Sequence, residues 1–340
     1  MLKISNLKQT YFYGATAIRG LNLEANDGEK IAILTKSGGG KTSLLKCIAG
    51  LFSADEGSSI VIDGKDVTGA KIKHRDVRLI YDDGGLVKNR SVKFNLEYPL
   101  KIRKIPKNER KRIVESVCCD FDLLPFYKEI AYRLFEPQII TLAIARAFLR
   151  EAKVTLIDDI FSLIKGEERK SVFNALLPKL SSIKGITIFA TDSVEEAFSF
   201  ADKIVVLNAG WHLQTGSPRD LMDNPNYLYV DNYVNPFKST LTVGVVDGYI
   251  NLDDITIKLP DDYDCDEAIL TYYLSEADNG TPFNPIIKRY AGNNVFAYQN
   301  EAGDVLMAND INPNIKVSVN RDSIRVYHRV SEKSLTYKII

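Results

Sequence analysis

The sequence predicts an α/β domain built around a phosphate-binding loop, followed by a smaller all-β domain, and three observations carry that expectation. The first is a glycine loop, Thr35-Lys36-Ser37-Gly38-Gly39-Gly40-Lys41-Thr42-Ser43. An apolar run at 31–34 precedes it, and Leu44, Leu45, Ile48 and Leu51 follow at helical spacing, so it reads as strand, loop, helix. The second is a set of apolar runs at 154–157, 186–190 and 204–207, separated by helical stretches at 167–180 and 194–201. Near-continuous apolar strands alternating with helices indicate a parallel sheet covered on both faces. The third is a change of pattern near Val234-Asn235-Pro236, after which short alternating strands and turn residues dominate.

Taken in order, residues 1–34 alternate apolar and polar positions, with turns at Gly14 and Asp27-Gly28, as antiparallel strands do. Tyr11-Phe12-Tyr13 closes the first run, and Tyr13 there either packs into the core or offers a ring for a base to stack on. Residues 60–62 and 77–81 are further strands, the latter running into Asp82-Asp83-Gly84-Gly85. Residues 88–150 read as a helical subdomain, with Ile113, Val114, Val117, Cys118 and Phe121 on one face behind a start signal at Pro106. The domains expected are therefore 1–234 and 235–340. In the second, hairpins turn at Asp253-Asp254 and around Gly303-Asp304, and Ile315, Val317 and Val319 alternate, which suggests a small barrel of the OB type.

Bulk properties exclude several functions. Forty-four basic residues balance forty-four acidic ones in a 340-residue chain, so nothing in the net charge argues for nucleic acid. Cys47, Cys118, Cys119 and Cys265 show neither metal-ligand spacing nor a disulfide framework, which fits a reducing compartment. No apolar run is long enough to span a bilayer and no signal-peptide pattern is visible, so membrane association is expected through a partner.

The chemistry concentrates in two places. In the loop, Ser37, Gly38, Gly39, Gly40 and Ser43 let backbone amides approach an anion at a helix N-terminus; Lys41 reaches the outer phosphates, and the Thr42 hydroxyl binds Mg²⁺. The strict pattern has Gly where this chain has Thr35. Further on, Leu156-Ile157-Asp158-Asp159 ends an apolar strand in two carboxylates, which serve either as a helix cap or as a holder of Mg²⁺ beside the phosphates.

These motifs, with Leu134-Phe135-Glu136-Pro137-Gln138, Ala143-Ile144-Ala145-Arg146 and Ala201-Asp202-Lys203-Ile204-Val205-Val206-Leu207 at matching intervals, resemble the ATP-binding subunit of an ABC transporter, of the maltose-type carbohydrate importer class. The resemblance covers nearly the whole length. It implies ATP and Mg²⁺ as cofactors, Asp158 as the acid of the metal site, and residues 134–138 as the signature that meets the ATP of an opposite subunit. It also implies permease partners and a second, homologous ATPase subunit or another copy of this chain, placing the protein at the cytoplasmic side of the membrane.

Against that pattern the chain departs at the chemistry. Asp159 stands where the family has the glutamate that polarises water, and shortening the base costs about 10²–10⁴ in rate. Asp192 replaces the switch histidine, Asp82 the glutamine beside the metal, and Lys165 an aspartate of the dimer seam. In the signature, Phe135 lacks a hydroxyl, Glu136 adds a negative charge, and Pro137 has no N–H to donate. The expectation is a degenerate importer subunit for a sugar or similar small polar solute, binding Mg·ATP with weak or no hydrolysis. An active ATPase using Asp159 as base, with Asp82 as a metal ligand, and a soluble ATP-sensing module remain as alternatives.

Overall fold

The computed structural model describes all residues except 82–84, 253–254, 283–284, 286, 293–294, 303, 309–315 and 340. Asp82 and the expected turns at Asp253-Asp254 and Gly303 therefore lie outside the described residues, as does Ile315. The chain divides into two compact units, Met1–Pro218 and Arg219–Ile340.

In the first unit, alternation in the opening residues becomes antiparallel β1 (Leu2–Thr10) and β2 (Thr16–Ala25), with Leu2, Ile4 and Leu7 turned inward. These strands join β4 (Ser59–Ile62) and β5 (Lys65–Asp66) in a sheet ordered β2-β1-β4-β5. The central sheet runs β10-β9-β3-β8-β7-β6, from β3 (Lys30–Leu34), β6 (Val77–Ile80), β7 (Val154–Asp158), β8 (Ile186–Thr191), β9 (Lys203–Asn208) and β10 (Trp211–Gly216). The first five of these in chain order pair in parallel, and β10 turns back along β9 as an antiparallel edge. Strands β3, β7 and β8 are buried at every position, as a sheet covered on both faces requires.

Helix α1 (Lys41–Ala49) lies between the two sheets. Its Leu44, Leu45 and Ile48 meet Leu2, Ile18 and Ile60 of the antiparallel sheet and Ile31, Leu156 and Ile188 of the central one. Each fully buried aliphatic side chain contributes roughly 1.5–3 kcal/mol, so the start of α1 is held by its own packing. Gly50, in the left-handed conformation, ends the helix.

The helical stretch consists of α2 (Val92–Ile102), α3 (Lys107–Asp120) and α4 (Glu136–Ala147). Ser91 caps α2 by accepting from Phe94 N–H. Asn95, 1% exposed, accepts from Val87 N–H and donates to the carbonyls of Val87, Arg90 and Ser91, which fixes the entry loop. On the other face of the central sheet, α5 (Gly166–Ser181) and α6 (Val194–Phe200) enclose an aromatic cluster of Phe161, Phe173, Phe189 and Phe200.

The second unit begins earlier than the expected boundary at Val234. Helices α7 (Pro218–Asp223) and α8 (Leu228–Val234) precede its strands, and α8 carries the reason for the shift. Asp231 is fully buried and accepts hydrogen bonds from Thr271 (2.6 Å), Tyr327 (2.9 Å), Asn235 (2.9 Å) and Lys238 (3.1 Å), and from Arg325. A buried carboxylate with that many donors ties its helix to the strands that supply them. The strands of this unit are β11 (Ser239–Gly244), β12 (Tyr249–Leu252), β13 (Ile255–Lys258), β14 (Glu267–Tyr272), β15 (Leu274–Pro282), β16 (Ile287–Gly292), β17 (Val295–Gln299), β18 (Val305–Ala308), β19 (Lys316–Val319), β20 (Arg325–His328) and β21 (Lys338–Ile339), and the strand donors to Asp231 come from β14 and β20. They form three small sheets, β11-β14-β20, β12-β13-β21 and β16-β17-β18-β15-β19. Ile250, Ile257, Leu270 and Val326 share a core, and a barrel-like β-domain fits this arrangement.

Candidate functional site

The glycine loop leaves the end of β3 and enters α1. Its conformation is set by close approaches that exclude side chains. A Cβ at Gly40, where φ is +100°, would lie 2.6 Å from the Ala17 carbonyl oxygen, and one at Gly39 would lie 1.9 Å from the Thr35 hydroxyl oxygen. Thr35 thus occupies the space that a residue larger than glycine would need at position 39. Gly38, at φ +79°, has nothing within 4 Å of where a Cβ would sit, so the outer surface of the loop is open. The first turn of α1 carries no acidic residue, which leaves its amides and dipole available to an anion.

Beside the loop, β7 delivers Asp158, 7% exposed, whose Oδ1 accepts from the Thr42 hydroxyl at 3.0 Å. Lys41 is buried; its Nζ donates to the Thr35 carbonyl at 3.1 Å and pairs with Asp159 Oδ2 at 3.0 Å. Asp159 stands at φ +48° between β7 and a short 3-10 turn, and its side chain makes no capping bond. Of the two readings of this acid pair, the helix cap therefore does not describe Asp159. Its Oδ1 is buried with no hydrogen-bond partner. An orphaned carboxylate oxygen, a glycine cradle and a Thr–Asp oxygen pair suit a triphosphate with a hard divalent cation. Ser37, Gly38, Gly39, Gly40, Lys41, Thr42 and Ser43 would hold the phosphates, and Thr42 and Asp158 the metal.

Tyr13 is 64% exposed and stacks on Tyr11 with centroids 5.1 Å apart at 9°. It is thus a surface ring rather than a core residue. The Tyr11 hydroxyl lies 2.6 Å from Ser43 Oγ, which couples the aromatic pair to α1.

The segment at 134–138 forms the start of α4. Leu134 is buried and anchors it, whereas Phe135 is 72% exposed. Phe135 has no side-chain acceptor for a cap; instead Gln138 Oε1 accepts from Phe135 N–H at 2.8 Å. Glu136 occupies the first turn and Pro137 removes a further amide. Of the donors a helix start offers, one is satisfied internally and another is absent.

Asp192 does not stand alone. Arg169, in α5, donates to Asp192 Oδ1 at 2.9 Å and makes a two-point pair with Glu196 at 2.6 and 2.9 Å. Burial works against the Arg169 charge, yet the bonds to Glu196 and Asp192 hold its pKa above the ordinary value. The sequence reading did not single out Arg169 or Glu196, because nothing in their spacing announces a contact across 27 residues of chain. Lys165, the N-cap of α5, is exposed.

One other cluster among the described residues brings metal-ligand types together: Asp264, Cys265 and His328. His328 Nδ1 accepts from the amides of Val330 and Ser331, each at 3.2 Å. That places the proton of a neutral ring on Nε2, which lies 2.7 Å from Asp264 Oδ1. Metal binding at Nε2 would require an imidazolate or the loss of both amide bonds to Nδ1, so the trio is satisfied as a hydrogen-bonded group.

Comparison with known proteins agrees with the geometry. The family model described as ABC transporter matches residues 18–162, spanning the loop, the 134–138 segment and Asp158–Asp159. The spermidine/putrescine import ATP-binding protein PotA of Pasteurella multocida is 31% identical over 95% of this chain and 91% of its own length. The PotA of Vibrio cholerae is 32% identical over 74% of this chain and 67% of its own length. The Fe(3+) ions import ATP-binding protein FbpC of Escherichia coli is 31% identical over 70% and 69%. None of these three is named for a sugar, so the carbohydrate class expected from the sequence is not the one these three relatives represent. Among solved structures, cbiO1 from Clostridium perfringens superposes with a TM-score of 0.58 at 22% identity, covering 65% of this chain and 89% of its own. A dimeric ATP-binding cassette bound to ADP and Pi gives 0.57 at 22%, covering 64% and 99%. These two likenesses concern the fold. With the loop, the acid pair and α4 in place, the chain belongs to the ABC transporter family, as an ATP-binding subunit of the importer kind that those relatives represent.

Proposed function

We propose that this chain binds Mg·ATP through Tyr13, residues 37–43 and Asp158, hydrolyses it slowly or not at all, and works beside a more active homologous subunit beneath membrane permeases. The observation that carries this reading is the contrast within one domain between an intact phosphate loop and an α4 start bearing Phe135, Glu136 and Pro137. In the composite site of a dimer, the second element would have to donate to the first. Losing one such donor costs about 10²–10³ in rate. Exposed Tyr98, Ile102 and Leu124 on the helical segment suit docking on permeases, and the β-domain would mediate subunit pairing. No helix among the described residues is long and apolar enough to cross a membrane, so placement at the cytoplasmic face would come through those partners.

The relatives' names direct the solute away from sugars and toward polyamines, with ferric iron as the other class they mention. A polyamine importer subunit is the reading we adopt. A second reading, an active ATPase with Asp159 as base, draws on Asp159 Oδ1, a carboxylate oxygen buried without a hydrogen-bond partner beside the phosphate loop. One assay separates them: turnover by the purified chain. A Lys41-dependent rate of about 1 s⁻¹ or more would sink the first reading, and a rate far below it would sink the second. Co-purification with a homologous ATPase subunit, and stimulation of the assembled complex by a polyamine with its binding protein, test the partner and the solute.

A further inference from the structure

Thr191, the last residue of β8, accepts from Thr35 N–H through its carbonyl at 3.3 Å, which places Asp192 at the edge of the phosphate loop. A bare carboxylate there would repel the outermost phosphate of a bound nucleotide. Asp192 pairs with Arg169, four residues after the N-cap of α5. Glu196, 4% exposed, fixes the guanidinium from below through two bonds, and Thr191 Oγ1 donates to the same carboxylate while Arg169 NH2 also reaches that hydroxyl at 3.3 Å. The arrangement has a rigid, buried side on Glu196 and an adaptable side on half-exposed Asp192. A planar guanidinium held in this way fixes the direction of the second carboxylate as well as offsetting its charge.

We propose that Arg169 is a positioning residue for nucleotide recognition. By turning Asp192 onto its guanidinium, it keeps that carboxylate off the terminal phosphate, so that the site accepts a nucleoside triphosphate about as readily as a diphosphate. This rests on the reading that the loop binds ATP, and it adds a residue that keeps the triphosphate from being disfavoured against the diphosphate, which the loop itself does not supply.

The test is the ratio of affinities for a non-hydrolysable ATP analogue and for ADP, both with Mg²⁺, measured calorimetrically on the full chain. Arg169→Met removes the guanidinium that offsets the Asp192 charge, and the ratio is expected to fall on the order of tenfold against the triphosphate, the effect of one nearby unit charge in a partly screened site. Adding Asp192→Asn to that variant should return the ratio to within about threefold of the unaltered chain. If Arg169→Met weakens both nucleotides equally, Arg169 has a structural role only and the proposal is overturned. Because Arg169→Met leaves Glu196 buried without its cation, Asp192→Asn alone provides an independent arm that does not threaten the fold. An already paired Asp192 predicts a ratio changed by less than about threefold, whereas a rise of tenfold or more would show a bare anion facing the phosphate. Should the unaltered chain bind neither nucleotide, the reading beneath the proposal fails first, visibly and before any substitution, and the proposal falls with it.

Discussion

Two helix starts in the first unit, those of α1 and α4, share the dipole of a helix N-terminus and have opposite character, one entered through a left-handed Gly40 and the other through an extended Phe135. Both expose the positive end of a helix dipole and both begin with amides that lack intrahelical partners. At α1, glycines bring those amides to an open surface, no acid occupies the first turn, and a buried lysine stands beside them. At α4, Gln138 takes the amide of Phe135, Pro137 has none, Glu136 adds a negative charge, and Phe135 projects an exposed ring. A helix N-terminus is therefore only the raw material of an anion site. Side-chain chemistry over four or five residues decides whether it attracts a phosphate or repels one.

The largest expected effect is on the attracting side. Lys41→Ala removes a charge-assisted donor to the phosphates and leaves Asp159 without its 3.0 Å partner, so one substitution deletes a cation and frees an anion. Such bonds contribute roughly 1.5–3 kcal/mol each, and ATP affinity should fall by about 10² in titration calorimetry. A loss of threefold or less would mean that α1 is not the phosphate site, and the comparison would collapse.

A second prediction concerns how the attracting loop is built. Gly39→Ala places a methyl 1.9 Å from Thr35 Oγ1, an overlap that has to be relieved by backbone movement or a new Thr35 rotamer. Overpacking of this kind costs about 1–3 kcal/mol in denaturant unfolding. Thr35→Gly in the same chain should recover most of it, since the clash requires both side chains. Independent, additive losses in the two single variants would show that Thr35 and Gly39 do not share the space.

Much of this was legible in the residues. The apolar runs at 154–157, 186–190 and 204–207 became β7, β8 and β9, because fully buried strands leave no other pattern. The loop could be read from its own glycines, and Thr35 as a departure from the strict pattern. What could not be read was reciprocity: that Thr35 fills the space opposite Gly39, and that Asp192 is answered by Arg169 and Glu196. Each depends on which distant residues share a corner of space, and no local period records that. The early start of the second unit had the same cause, a single buried Asp231 whose donors are scattered from Asn235 to Tyr327. The solute class was not legible for a different reason, since residues that hold phosphates have no contact with what a permease carries.

The smallest expected effect is on the repelling side, at Glu136, and its sign is the informative part. Glu136 is exposed in the first turn of α4, so its field is screened and Glu136→Gln should be worth no more than about 1 kcal/mol. If α4 meets the nucleotide of another subunit, that substitution should strengthen ATP-dependent association of two copies of this chain by about two- to fivefold at low salt, read by sedimentation. The gain should vanish as ionic strength rises, because only the charge has changed. Phe135→Ser, which restores a hydroxyl, should add a gain that salt does not erase. Association indifferent to both substitutions at low salt would mean that α4 does not face a nucleotide, and that the two helix starts differ in chemistry without opposing each other across a dimer.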